Sequence, residues 1–91
     1  MYLRMTRGRF DSTKSDEAMR LMPDITAAIQ QLPGCQGVQV GVDRTTGESL
    51  AVSTFDTMEH AQFSRDSLGD AYVRLQALDW QAKDPEIFET I

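Results

Sequence analysis

Two runs of alternating apolar and polar residues, joined by a short turn, constrain this chain more than any other feature. Between Pro33 and Asp56 the sequence reads PGCQGVQVGVDRTTGESLAVSTFD. Val38, Val40 and Val42 alternate with Gln39 and Gly41, the segment from Asp43 to Glu48 supplies turn formers, and Leu50, Val52 and Thr54 alternate with Ala51, Ser53 and Phe55. A period of two sends successive side chains to opposite faces of a strand, so the stretch predicts a β-hairpin. An isolated hairpin is marginal in water, and the flanking segments must complete a sheet and cover it.

Tyr2 to Phe10 reads as a first strand, with Leu3 and Met5 on one face and Tyr2, Arg4 and Thr6 on the other. Asp11 to Ser15 are turn and cap formers, and Asp16 and Glu17 then place carboxylates where a helix dipole favours them. Ala18, Met22, Ile25, Ile29 and Leu32 form one apolar stripe of a first helix, which Pro23 is expected to kink or restart and Pro33-Gly34 to end. Beyond the hairpin, Asp56 or Thr57 caps a second helix, Asp56 and Glu59 standing at capping-box spacing. Its stripe is Ala61, Leu68, Tyr72 and Leu75, and Gly69 divides it into segments of about Met58 to Ser67 and Asp70 to Leu78. Asp79 to Pro85 is a connection carrying Trp80, and Glu86 to Ile91 is a short last strand.

The order βαββαβ predicts the α+β, ferredoxin-like class: a four-stranded antiparallel sheet with two helices on one face. Apolar residues occupy both sides of the hairpin, with Val38, Val40, Val42, Leu50 and Val52 expected on one and Ala51 and Phe55 on the other. A sheet face of that kind left open is an exposed apolar patch, so a homodimer with its sheets packed face to face is expected.

With 91 residues and no internal repeat, the chain is expected to be a single domain over residues 1–91. The net charge of −5 argues against nucleic acid as a partner, which would require a basic face. Arg4, Arg7, Arg9 and Lys14 make one local exception, read either as an anion-attracting patch or as solvated charges. No apolar run is long enough for a bilayer and MYLRMTRGRF has no signal-peptide core, so no membrane partner and a cytoplasmic location are expected. Cys35 is the single cysteine and His60 the single histidine, which gives neither a disulfide nor metal-ligand spacing. GCQGVQVG, from Gly34 to Gly41, follows a helix and enters a strand, the reverse of a phosphate-cradling loop.

PGCQGV at Pro33 to Val38, STFDTMEHAQ at Ser53 to Gln62 and the closing Pro85-Glu-Ile-Phe-Glu89, set in a short βαββαβ chain, resemble the antibiotic biosynthesis monooxygenase family of dimeric α/β barrels. The resemblance spans nearly the whole chain, and its motifs belong to the scaffold rather than to one reaction. It implies a small hydrophobic or aromatic ligand held between sheet and helices. It also implies a cofactor-independent oxygenase acting on a phenolic or quinol-like compound with dioxygen, or a binding module of the same shape that does not convert its ligand. The resemblance implies an Asn in the sites of both the haem-degrading and the antibiotic-tailoring branches, and the chain has none. That weakens the tailoring type unless His60, Tyr72 or Arg4 stabilises the anion instead. Haem degradation is disfavoured, since the Tyr72-Val-Arg-Leu75 segment also has no His to ligate iron.

Under this reading the candidate catalytic residues are His60, Tyr72 and Arg4, and Phe63, Trp80 and Phe55 are candidates for substrate binding. His60 is the one side chain whose ordinary pKa suits proton transfer near neutrality; its plainer alternative is a surface histidine beside a helix cap. Arg4 can neutralise an anion from the sheet side. Tyr72 and Phe63 are pocket or core aromatics, and Trp80 is a pocket lid or an anchor for the last strand. No cofactor and no metal are expected.

Overall fold

The computed structural model describes residues 1–91. Its sheet is built around β1 (Tyr2–Arg9), which pairs antiparallel with β3 (Glu48–Phe55) from Tyr2 opposite Phe55 to Arg9 opposite Glu48. β2 (Cys35–Val42) lies beyond β3 as the first arm of the expected hairpin. On the other side of β1 lie β4 (Gln81–Ala82) and β5 (Glu86–Glu89), end to end, so the lanes run β2, β3, β1, β4 with β5. The chain has the ferredoxin-like α+β fold.

The fourth lane departs from expectation, since part of the connection foreseen from Asp79 to Pro85 belongs to the sheet. Gly8 faces Ala82 while Met5 faces Glu86, so residues 83–85 lie against only Thr6 and Arg7. That extra residue is a bulge, and Pro85, which has no amide to give the ladder, sits in it. A second bulge falls in the hairpin, where Cys35 faces Phe55 and Gly37 faces Thr54, with Gln36 between them. In this register Val38 faces Ser53 and Val40 faces Ala51, so the three β2 valines share the face of Ala51 and Phe55. Leu50 and Val52 lie on the other face, which corrects the expected grouping. Period two sorts residues within a strand but does not say which face of one strand adjoins which face of the next.

α1 (Ser15–Gln30), preceded by a 3₁₀ turn at Ser12–Lys14, runs through Pro23 as one element and buries Ala18, Leu21, Ile25 and Ile29. Met22 and Leu32, expected in this stripe, are half-buried at its margin. The second helical region is more broken than its sequence suggests. It comprises α2 (Met58–Ala61), a 3₁₀ turn at Arg65–Leu68 and α3 (Asp70–Ala77). Gly69 makes the expected break, with φ 62° and ψ −134°, a conformation essentially reserved for glycine. The earlier break has two causes. Arg4 takes the carbonyls of Ala61 and Phe63, which a continuing helix would have used, and the Ser64 side chain accepts from the Asp66 amide instead of yielding to a helical ladder.

α1, α2 and α3 cover the face that carries Arg4, Thr6, Ser53 and Phe55. The core there joins Phe10 and Phe55 to Leu21, Ile25, Ile29 and Leu75, each worth roughly 1.5–3 kcal/mol of burial. The opposite face has no helix. Leu3, Met5 and Val52 are half-buried on it, and Leu50 and Phe88 are 37% and 49% exposed. No helix is long and apolar enough to cross a membrane.

Candidate active site

Arg4 is the residue from which the site is built. An even-numbered position on β1, it points beneath the helices and is only 5% exposed. One guanidinium nitrogen donates to the carbonyls of Ala61 at 2.9 Å and Phe63 at 2.8 Å, and the group stacks 3.8 Å from the centre of the Phe63 ring. No carboxylate lies within ion-pair reach of it. Burial, with repulsion from the nearby Arg65 second, lowers the Arg4 pKa to about 10, so it remains a cation at neutral pH.

Arg4 opens onto a cavity between sheet and helices. Thr6 and Ser53 join it on the sheet wall, Met22, Ile25 and Ile29 come from α1, and Phe63, Leu68 and Tyr72 come from the broken second helical region. Trp80 closes one end. Its indole N–H donates to Ser49 Oγ at 3.0 Å, its ring lies 6.4 Å from that of Phe10, and the Arg65 guanidinium stands 5.4 Å over it. Gly8 makes this placement possible, since a Cβ there would overlap the indole. Asp79, just before Trp80, has φ 58° and is held by an ion pair to Lys14 at 2.6 Å.

Twelve of the eighteen lining residues are apolar, and the only charged ones are Arg4 and Arg65. The cavity is partly open to solvent and its inner space is about 60 Å³. A single benzene ring fills a cavity of roughly 150 Å³, so an aromatic occupant must protrude from the mouth or displace a lining side chain.

Of the residues singled out from sequence, the cavity brings together Arg4, Tyr72, Phe63 and Trp80, and leaves out His60 and Phe55. His60 is the third residue of α2. Thr57 caps that turn by accepting from the His60 amide at 3.1 Å, and the ring turns back toward Asp56, with Nδ1 2.6 Å from the carboxylate. There its side chain is 40% exposed, and both partners pack on Gly34, whose φ of 75° and missing Cβ leave room for them. The hydrogen bond with His60 holds the Asp56 carboxyl below its ordinary value. Phe55 is wholly buried behind the cavity wall, its ring 5.5 Å from that of Phe63, which it supports.

Sequence reasoning missed Arg65, Ser49, Ser53 and Thr6. Ser49 and Ser53 were visible as small polar residues on the Ala51 and Phe55 side of their strand, and pairing of Ser53 with Arg4 makes them part of the wall. Arg65 carried no local signal, because its position depends on the helix break. No group of three or more His, Cys, Asp or Glu side chains is placed to hold a metal ion.

No family model matches the chain, and no curated protein matches it. Solved structures do. A Deinococcus radiodurans protein provisionally named an antibiotic biosynthesis monooxygenase superposes with a TM-score of 0.76 at 19% identity, covering 99% of this chain and 92% of its own. A Nitrosomonas europaea protein with the same provisional name gives 0.74 at 15% identity, covering 100% and 99%. A variant of SnoaB, a cofactor-independent oxygenase from Streptomyces nogalater, gives 0.70 at 14% identity, covering 98% and 91%. This chain therefore has the fold of those proteins over its whole length.

Proposed function

We propose that the chain is a cofactor-independent monooxygenase acting on a small aromatic compound, phenolic or quinol-like, with dioxygen. The observation that carries this reading is the desolvated Arg4 cation in the wall of an otherwise apolar cavity. A phenol is a poor reductant of oxygen and its anion a good one, so the protein's task is to stabilise the anion. Arg4 supplies fixed positive charge where water is scarce, and the Tyr72 hydroxyl and the sheet-wall hydroxyls orient the ring. Electrons for the reaction come from the substrate itself. The ring carbon para to the phenolate oxygen forms a bond to dioxygen, and loss of its proton with cleavage of the O–O bond releases one water and leaves the quinone.

A second reading has its own support. The cavity lining contains no carboxylate and no histidine to act as base, which favours a module that binds such a ligand without converting it. In either case the partner proposed for the open sheet face is a second copy of the chain. Oxygen uptake, quinone absorbance and incorporation of labelled oxygen with a panel of phenols unsubstituted at the para position, no cofactor added, decide between the two. Turnover supports the oxygenase, and silence from protein that binds the same compounds supports the module.

A further inference from the structure

We infer that the cavity selects ligands that are already anions in solution, an acidic enol or an aromatic carboxylate, and holds their charged end between Arg4 and Arg65. The inference rests on the cavity being the ligand site, and narrows what it takes.

Three observations converge on it. Arg4 and Arg65 are the only charged groups lining the space, in a chain whose net charge is −5, so this local field runs against that of the whole molecule. Neither has a carboxylate partner, and they lie close enough that Arg65 helps depress the Arg4 pKa. Two like charges facing one apolar space repel each other until an anion enters, and a ligand bearing one negative charge relieves both. Each guanidinium is also held in place without using all its donors. Arg4 spends one nitrogen on the carbonyls of Ala61 and Phe63, and Arg65 spends one on the Lys83 carbonyl at 2.8 Å while lying over the Trp80 ring. The remaining N–H groups are available to an oxyanion.

No group in the lining can remove a proton from a weakly acidic ligand near neutrality: tyrosine is a poor base there, and the hydroxyls of Thr6, Ser49 and Ser53 are worse. A neutral phenol that enters would have to lose its proton to water in a confined space. A ligand ionised beforehand meets no such barrier and gains both charge-assisted contacts. Among ligands of one ring size the site therefore discriminates by charge.

Trp80, the only tryptophan, lies in the cavity wall, so its fluorescence reports occupancy alongside calorimetry. The probes are two anions, 2-naphthoate and 2-hydroxy-1,4-naphthoquinone, and two neutral compounds of the same ring size, 2-naphthol and 1,4-naphthoquinone, titrated without oxygen. Both anions are expected to bind at least about tenfold more tightly than their neutral counterparts, the size of one charge-assisted hydrogen bond. Arg65→Gln is expected to weaken the binding of both anions several-fold more than that of the neutral probes, Arg4 keeping part of the preference. Arg9→Gln, which removes the same charge from an exposed site outside the cavity, is expected to keep it in full. Equal binding of anions and neutrals, binding of neither, or a preference that Arg65→Gln leaves undiminished overturns the inference. Its failure is separable from that of the oxygenase reading. Anion-selective binding without oxygen uptake on any substrate keeps the inference and defeats the oxygenase, whereas incorporation of oxygen into neutral phenols without anion preference does the reverse.

Discussion

Arg4 and His60 show how far single residues can be read before their surroundings are known. Alternation along Tyr2 to Phe10 already placed Arg4 opposite Leu3 and Met5. What the sequence could not supply was its burial beneath Ala61 and Phe63, because those contacts join positions 57 and 59 residues apart. His60 is the only histidine and so the natural candidate for a base, yet its ring lies against Asp56 beside the Thr57 cap and outside the cavity. Asp56 then gives a testable pH dependence. Its folded pKa lies below the ordinary 3.8, so it binds fewer protons folded than unfolded and contributes stability above that range. The contribution is lost as pH falls through its lowered value. His60→Ala removes the main cause of the shift. Urea midpoints at about pH 6 and about pH 3 are expected to show the variant less stable than the parent at the higher pH, with the gap closing at the lower. A gap that widens in acid contradicts this assignment.

The elements were legible wherever one periodicity ran unbroken, and illegible where a distant group interrupted it. α1 and the two arms of the hairpin form where their patterns run, although Pro23 does not divide the helix and a bulge falls at Gln36. The second helical region departs from its pattern, since the carbonyls that would have continued α2 are taken by a guanidinium from β1, and the bulge at residues 83–85 depends on register with the same strand. Trp80 and Gly8 meet across that lane, which sets the indole in the cavity wall against Ser49 and Phe10. Gly8→Ala is expected to push the indole from Ser49, destabilising the fold by about 1–3 kcal/mol and shifting Trp80 emission. Chemical denaturation followed by fluorescence measures both. An unchanged spectrum and midpoint would mean that the indole does not depend on this close approach.

For the whole molecule, sequence order was enough to give an antiparallel sheet with helices on one face, because βαββαβ chains have few ways to close a core. The association state rests on the face without helices. Leu50 and Phe88 are exposed there beside half-buried Leu3, Met5 and Val52, a grouping whose membership became clear only with the β2 and β3 register. Sedimentation is expected to give twice the 10.2 kDa chain mass, and Phe88→Glu to shift it toward one chain with the circular dichroism retained. A parent protein that sediments as a monomer at tens of micromolar would remove the proposed partner. The central claim is that chemistry belongs to the Arg4 cavity and not to the Asp56 and His60 pair. It is tested most directly by oxygen uptake on the best phenolic substrate, comparing Arg4→Gln with His60→Ala, both shown to be folded. The account predicts a loss of roughly 10²–10³-fold for Arg4→Gln, as for removal of one anion-stabilising donor, and near-parental turnover for His60→Ala. Loss of turnover on removing His60, with Arg4→Gln still active, would contradict it.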